Sequence, residues 1–206
     1  MTRRRSSYRS IASLQRDNRV CRACIEAGYP LESWPVVAGY QGQRAYMFGQ
    51  APGIVEGEER RPWRGRAGVN LRRWLEMDED EFYGTFYCAS VTRCFPGRAR
   101  GGRGDRTPTP REQQLCSFWR EWEFEILRPR LIVAVGGLAA SWMIGARSLE
   151  CVGGSYDRDG ATVVPLPHPS GASSWLNAPP NRVLVADAAA LIHAELRRIG
   201  SHDTKS

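Results

Sequence analysis

The strongest constraint in this sequence is an alternation: short β-rich apolar runs recur four times, separated by helical stretches. The runs at 44–50 (RAYMFGQ), 85–94 (TFYCASVTRC), 130–136 (RLIVAVG) and 162–166 (TVVPL) stop at glycine, proline or a polar residue, as buried strands do. Between them, 68–77 places Leu71, Trp74 and Leu75 at helical spacing. The stretch 110–127 begins with Thr109 as an N-cap and Pro110 in the first turn, and carries Leu115, Phe118, Trp119 and Trp122 on one side. A short apolar helix is expected at 138–144, and a last one at 182–199. Strand and helix alternating in this way predict an α/β fold, a three-layer α/β/α sandwich with a central four-stranded parallel sheet. The 206 residues suffice for one well-buried domain over 1–206. Within it, 1–20 reads as a basic N-terminal segment, 95–109 as an Arg/Gly-rich loop and 200–206 as a flexible tail.

Charge narrows the choice of partner. Lys and Arg total 29 against 22 Asp and Glu, a net +7, which favours polyanions such as nucleic acid. Lys205 is the only lysine, so the positive charge is almost all guanidinium, which grips phosphate in a bidentate way and stacks on bases. Hydrophobic residues at 42% and charged ones at 25% exclude a disordered or collagen-like chain. No apolar run reaches the roughly 18 residues of a membrane helix. The basic start is followed by IASLQRDNRV, too polar for a secretory signal, so a cytoplasmic location is expected.

Six cysteines in such a compartment read as thiols or metal ligands rather than disulfides. Cys21 and Cys24 form a C-x-x-C, Cys94 and Cys116 lie beside element ends, and Cys88 and Cys151 sit in apolar stretches. Four ligands plus two buried thiols is the simplest partition, and the four suit either zinc or a [4Fe-4S] cluster.

In an open parallel sheet, ligands bind beyond the carboxyl ends of the strands. The first strand ends in Gly49-Gln50-Ala51-Pro52-Gly53 and the fourth in Pro167-His168-Pro169-Ser170-Gly171, so both reach one rim. His168, fixed between two prolines, is the functional histidine; His193 in the last helix and His202 in the tail are structural or solvated. The stretch 95–109 (FPGRARGGRGDRTPT) is too rich in Gly, Pro and Arg to bury a core and is expected as a long basic loop.

The ordered set G-Q-A-P-G, R-P-W-R-G-R-A-G, V-T-R-C, a later cysteine and H-P-S-G resembles the bacterial iron–sulfur uracil-DNA glycosylases of families four and five. The resemblance runs from about Cys21 to Asn177. It implies a DNA base-excision repair enzyme that flips a deaminated base, uracil first, out of DNA and hydrolyses its N-glycosidic bond. Cys21, Cys24, Cys94 and Cys116 would hold a structural [4Fe-4S] cluster, with zinc as the alternative. Trp63 would stack on the base beside Gly49, and His168 with the amides at Gln50 and Ala51 would stabilise the departing anion. Ser170, Gly171, Ser173 and either Trp175 or Leu176 would form a wedge loop, and Arg98, Arg100 and Arg103 would contact DNA.

Several positions depart from the family pattern. Asn70 stands in the stretch where family five carries an aspartate, which leaves Glu56 and Glu58 as candidates for placing water. Ser90 stands where an asparagine often reads the uracil edge, which opens hypoxanthine or xanthine as substrates. The loop at 98–106 has no histidine for covalent capture of the abasic site, so turnover by a monomer is expected. Two rival readings remain: a DNA-binding homologue without strong catalysis, and a zinc-stabilised RNA- or protein-interaction domain.

Overall fold

The computed structural model describes residues 2, 4–101, 104–146, 149–170 and 174–203, with the side chains of the last two left aside. Four parallel strands form the sheet: β1 (Ala45–Gly49), β2 (Phe86–Ser90), β3 (Leu131–Val135) and β5 (Ala161–Leu166). A fifth, β4 (Tyr156–Arg158), pairs antiparallel with β5 at one edge, giving the order β2-β1-β3-β5-β4. Three of the parallel strands are buried at every residue, as strands covered on both faces must be.

The expected four-stranded parallel sheet is present, and the additional edge strand is the difference. Its signal was Asp159-Gly160, whose positive φ angles of 52° and 81° suit the mirror-image turn of a tight hairpin. The helices are α1 (Ile11–Asn18), α2 (Ala23–Glu26), α3 (Ile54–Glu59), α4 (Arg66–Trp74), α5 (Glu79–Thr85), α6 (Pro110–Leu127), α7 (Gly137–Ile144) and α8 (Pro179–Asp203). The Thr109 side chain accepts from the Glu112 amide and Glu112 caps Thr109 in return, so α6 starts where the sequence said it would.

The described part of the basic segment at 1–20 is built into the domain. It contains α1, capped by Ser10 and packed on α6, with Leu14 fully buried. Tyr8 meets the rings of Phe118, Trp119 and Trp122 at 5.6–6.3 Å. Arg5 pairs with Asp17 at 2.7 Å. Arginine near a terminus suggests a solvated arm only while its partner, here twelve residues on, is unknown.

Beneath the sheet lies a buried polar knot. Glu123 of α6 accepts from the Arg93 guanidinium and from the hydroxyls of Tyr46 and Tyr87. Arg93 also donates to the Ser90 carbonyl, and Arg120 to the Val91 carbonyl at 3.1 Å. Two guanidiniums therefore hold the chain as it leaves β2, and a charge this deep is tolerable because it is paired and hydrogen-bonded.

The 95–109 stretch is also more ordered than its composition suggests. Phe95 is fully buried at its root. Beyond it, Arg98 and Asp105 form a β-bridge, with Ala99 N–H donating to Gly104 O at 3.1 Å and Arg106 N–H to Gly97 O at 2.9 Å. The glycines allow the hairpin turn, and a fork between Arg106 and Glu112 at 2.6 and 2.7 Å ties it to α6.

Candidate active site

A cavity of about 250 Å³ opens at the carboxyl ends of the strands. Its walls bring together Gly49 at the end of β1, Ala51 from the turn after it, Glu56 of α3, Trp63 from the segment before α4, Ser90 from β2, and His168 and Ser170 after β5. The topology thus unites residues more than a hundred positions apart in the chain.

Trp63 is nearly buried and holds φ at 58°, a left-handed conformation that costs a bulky residue about 1–3 kcal/mol. Its neighbours enforce the strain. Arg72 donates to the Trp63 carbonyl at 3.1 Å, and Tyr83 donates to the Pro62 carbonyl. Gly68 admits this backbone: a Cβ there would fall 1.7 Å from the Trp63 oxygen. Gly49 admits the ring, since a Cβ there would fall 2.9 Å from Trp63 Cζ2. The indole is thereby laid across the end of β1.

His168 is half-buried, its ring centroid 6.5 Å from that of Trp63 and the planes 38° apart. Its Nδ1 accepts the Ser170 amide at 3.3 Å and lies 2.9 Å from the Ser170 hydroxyl. The proton of the neutral ring therefore belongs on Nε2. Burial pushes the imidazole pKa down, against the opposing charge of Glu56, so the ring is neutral at pH 7 and Nε2–H is a donor.

Ser90 donates its hydroxyl proton to the Thr92 carbonyl at 2.6 Å. With the proton committed, the oxygen offers lone pairs to a ligand.

Other sequence candidates have different places. Glu56 reaches the cavity, but its two oxygens accept the amides of Gly53 at 3.1 Å and Gly65 at 2.7 Å, so it clamps the first turn to the start of α4 rather than standing ready for water. Glu58 is exposed and outside the cavity wall. Asn70 does not line it either: its amide donates to Pro169 O at 2.8 Å and braces the histidine loop. Gln50 contributes backbone, its carbonyl accepting from Thr92 N–H at 3.2 Å, and its side chain is not part of the lining. Trp175 and Leu176 sit on a 3-10 turn, Ser174–Asn177, half-buried against the core. Arg98 and Arg100 are exposed on the hairpin. Gly171, Ser173 and Arg103 lie outside the described residues. Asp105 was missed: it lines the cavity from the hairpin, and only the tertiary fold brings it there.

A second cavity lies between α2, α6 and the chain after β2, lined by Cys21, Cys24, Cys94 and Cys116 together with Trp119 and Glu112. The Trp119 indole N–H donates to Cys21 Sγ at 3.2 Å. Burial and the neighbouring thiols push Cys24 up to about 12 and raise Cys94 as well, while burial is the chief cause at Cys116, so thiolates here need a cation to compensate them. Among the described residues no three His, Cys, Asp or Glu side chains are grouped to hold a metal ion. Four thiols on one cavity wall are the donor set of either a sulfur-ligated cluster or a single zinc ion. Cys88 and Cys151 are buried elsewhere. Among the described residues no helix is long and apolar enough to cross a membrane.

Type-4 uracil-DNA glycosylases resemble the chain: that of Thermotoga maritima is 32% identical over 131 residues, covering 62% of this chain and 65% of that protein. The one from Archaeoglobus fulgidus is 28% identical over 145 residues, 68% of this chain and 67% of the relative. That of Pyrobaculum aerophilum is 32% identical over 94 residues, 46% and 44%. The chain thus spans about two thirds, or less, of the length of these relatives. Residues 38–191, from before β1 to within α8, match the family described as the Uracil DNA glycosylase superfamily, and the chain belongs to that superfamily.

Proposed function

We propose that this protein is a DNA glycosylase that turns a deaminated base, uracil first, out of the helix and hydrolyses its N-glycosidic bond, leaving an abasic site for base-excision repair. The observation that carries this reading is the cavity shared by Trp63 and a neutral His168 whose Nδ1 is held by Ser170. Extrusion of a nucleotide costs a few kcal/mol, which stacking on the Trp63 indole offsets by about 1–3 kcal/mol. As the bond to C1′ breaks, negative charge gathers on the base. His168 Nε2–H and the amide at Ala51 are donors suited to O2, a preorganised arrangement of the kind that supplies several kcal/mol. Exposed arginines, Arg98 and Arg100 among them, would meet phosphates. The names of the relatives support uracil as the base.

Ser90 favours a second substrate as well. A lone-pair acceptor at the base edge accepts the N–H that deamination creates in uracil, hypoxanthine and xanthine, and meets the lone pair of cytosine or adenine with repulsion. Cys21, Cys24, Cys94 and Cys116 would hold a [4Fe-4S] cluster, which supplies a rigid tie between the N-terminal helices and the chain after β2. The protein would act as a monomer in the cytoplasm.

The test is base release from uracil-, hypoxanthine- and xanthine-containing oligonucleotides, read as alkali-labile strand breaks. Uracil released fastest, with turnover and no covalent adduct, is the expected outcome. Protein that binds these strands and yields no break from any of them is a DNA-binding homologue without hydrolysis, and the proposal fails.

A further inference from the structure

The cavity has two carboxylates on its wall, and the structure treats them differently. Glu56 is committed to two backbone amides. Asp105 is exposed to solvent at the mouth of the same cavity, and its carboxylate has neither a hydrogen bond nor an ion pair with any described residue. Its Oδ2 would stand 3.2 Å from a Cβ built on Gly53, so the carboxylate is in close contact with the backbone of the turn after β1. The β-bridge to Arg98 aims it there, and the Arg106–Glu112 fork anchors the hairpin next to it. Hydrolysis of a glycosidic bond needs an oxygen nucleophile, and no other carboxylate lining the cavity has its oxygens unengaged.

We propose that Asp105 orients and deprotonates the water that attacks C1′, an assignment that rests on the glycosylase reading above. In this step the C1′–N1 bond breaks with its electron pair passing to the base, where the hydrogen bond from His168 Nε2–H stabilises the charge. The water oxygen bonds to C1′, and its proton passes to the Asp105 carboxylate. Burial and the charges of Glu56 and Glu32 raise the pKa of this carboxyl, with Arg98 opposing them, which makes it a better proton acceptor than a fully solvated aspartate.

The experiment compares wild type with Asp105→Asn and Asp105→Glu in single-turnover uracil release, with binding to a 2′-fluoro-uracil oligonucleotide measured alongside. Asp105→Asn is expected to slow release by on the order of 100-fold, the lower end of what a general base contributes. Binding should stay within about twofold, and the acid limb of the pH–rate profile should disappear, while Asp105→Glu recovers part of the rate and the limb. Release by Asp105→Asn within about threefold of an active wild type, or an unchanged acid limb, overturns the assignment and leaves the glycosylase reading standing. A wild type inactive on uracil, hypoxanthine and xanthine substrates instead removes the glycosylase reading and this step with it.

Discussion

The two cavities share a wall, the chain running from Ser90 to Pro96, and they are built from opposite materials. Ser90 faces the base cavity, and Thr92, Arg93, Cys94 and Pro96 face the cysteine cavity. One is lined by glycine and proline backbone, one indole, one imidazole and two carboxylates, and is open for an occupant that arrives and leaves. The other is lined by four thiols around an enclosed space and suits an occupant that stays. Under the proposed function, catalysis belongs to one side and rigidity to the other. Because Arg93 holds the Ser90 carbonyl from beneath, a disturbance on the cysteine side should reach the base side through this wall.

The sharpest way to break the comparison is Cys94→Ser. In a cavity of plain thiols, exchanging sulfur for oxygen costs about 1 kcal/mol, the usual scale of a single buried substitution. Where the cavity anchors a cluster, losing a ligand should cost several kcal/mol and lower the melting temperature by about 10 °C, at roughly 2–4 °C per kcal/mol for a chain of this size. Thermal denaturation with iron and sulfide analysis reads both. A variant melting within a few degrees of wild type, with iron absent from both proteins, removes the structural role given to this side.

His168→Ala comes second and acts on the other side. Removing one preorganised donor to a developing anion costs about 2.7–4 kcal/mol, or 10²–10³ in single-turnover rate. The melting temperature should move little, because the ring is only half-buried and its Nδ1 partner is a two-residue local contact. The burial-lowered pKa of His168 also fixes a sign. The unfolded chain takes up the proton first as pH falls below the ordinary histidine value, so His168 subtracts stability on the acid side, and the variant should lose that part of the pH dependence.

These predictions also mark what was legible in the sequence. Strands that read as apolar runs, the capped and proline-initiated α6, and the residues of G-Q-A-P-G and H-P-S-G announce themselves because their signals are local. Helix α1 was less visible, since Leu14 and Tyr8 gain meaning only against α6. Glu56 read as a water-placing group because one chain cannot show that two glycine amides occupy it. Asp105 was hidden in a stretch of arginine and glycine, and what marks it is a bridge closing the hairpin over a turn some fifty residues upstream. Local chemistry fixes what a segment is; long-range contacts decide which groups remain available.

Gly49→Ala has a smaller expected effect and tests the stacking surface alone. The new methyl would fall 2.9 Å from Trp63 Cζ2, so the indole must tilt away from the end of β1. Part of the 1–3 kcal/mol of base stacking should be lost, weakening base affinity by about tenfold with the chemical step less affected. Binding of a 2′-fluoro-uracil oligonucleotide, measured beside the single-turnover rate, separates the two. An unchanged affinity shows that the base does not lie on this ring.

Ser90→Ala should act most on the choice of base. The variant removes a donor from the Thr92 carbonyl, about 1 kcal/mol of stability, and removes the acceptor from the base edge. Uracil release should fall by about tenfold, because one neutral hydrogen bond is lost while Trp63 and His168 still grip the base. The ratio of uracil to cytosine release should fall with it, since the lone pair that repels cytosine N3 is gone. The comparison of the two cavities requires that this variant keep the iron content and visible spectrum of wild type, for only the Ser90 side chain has changed and Arg93 still holds its carbonyl. A loss of iron in Ser90→Ala would mean that the wall transmits strain in both directions, and that recognition and rigidity cannot be divided between its faces.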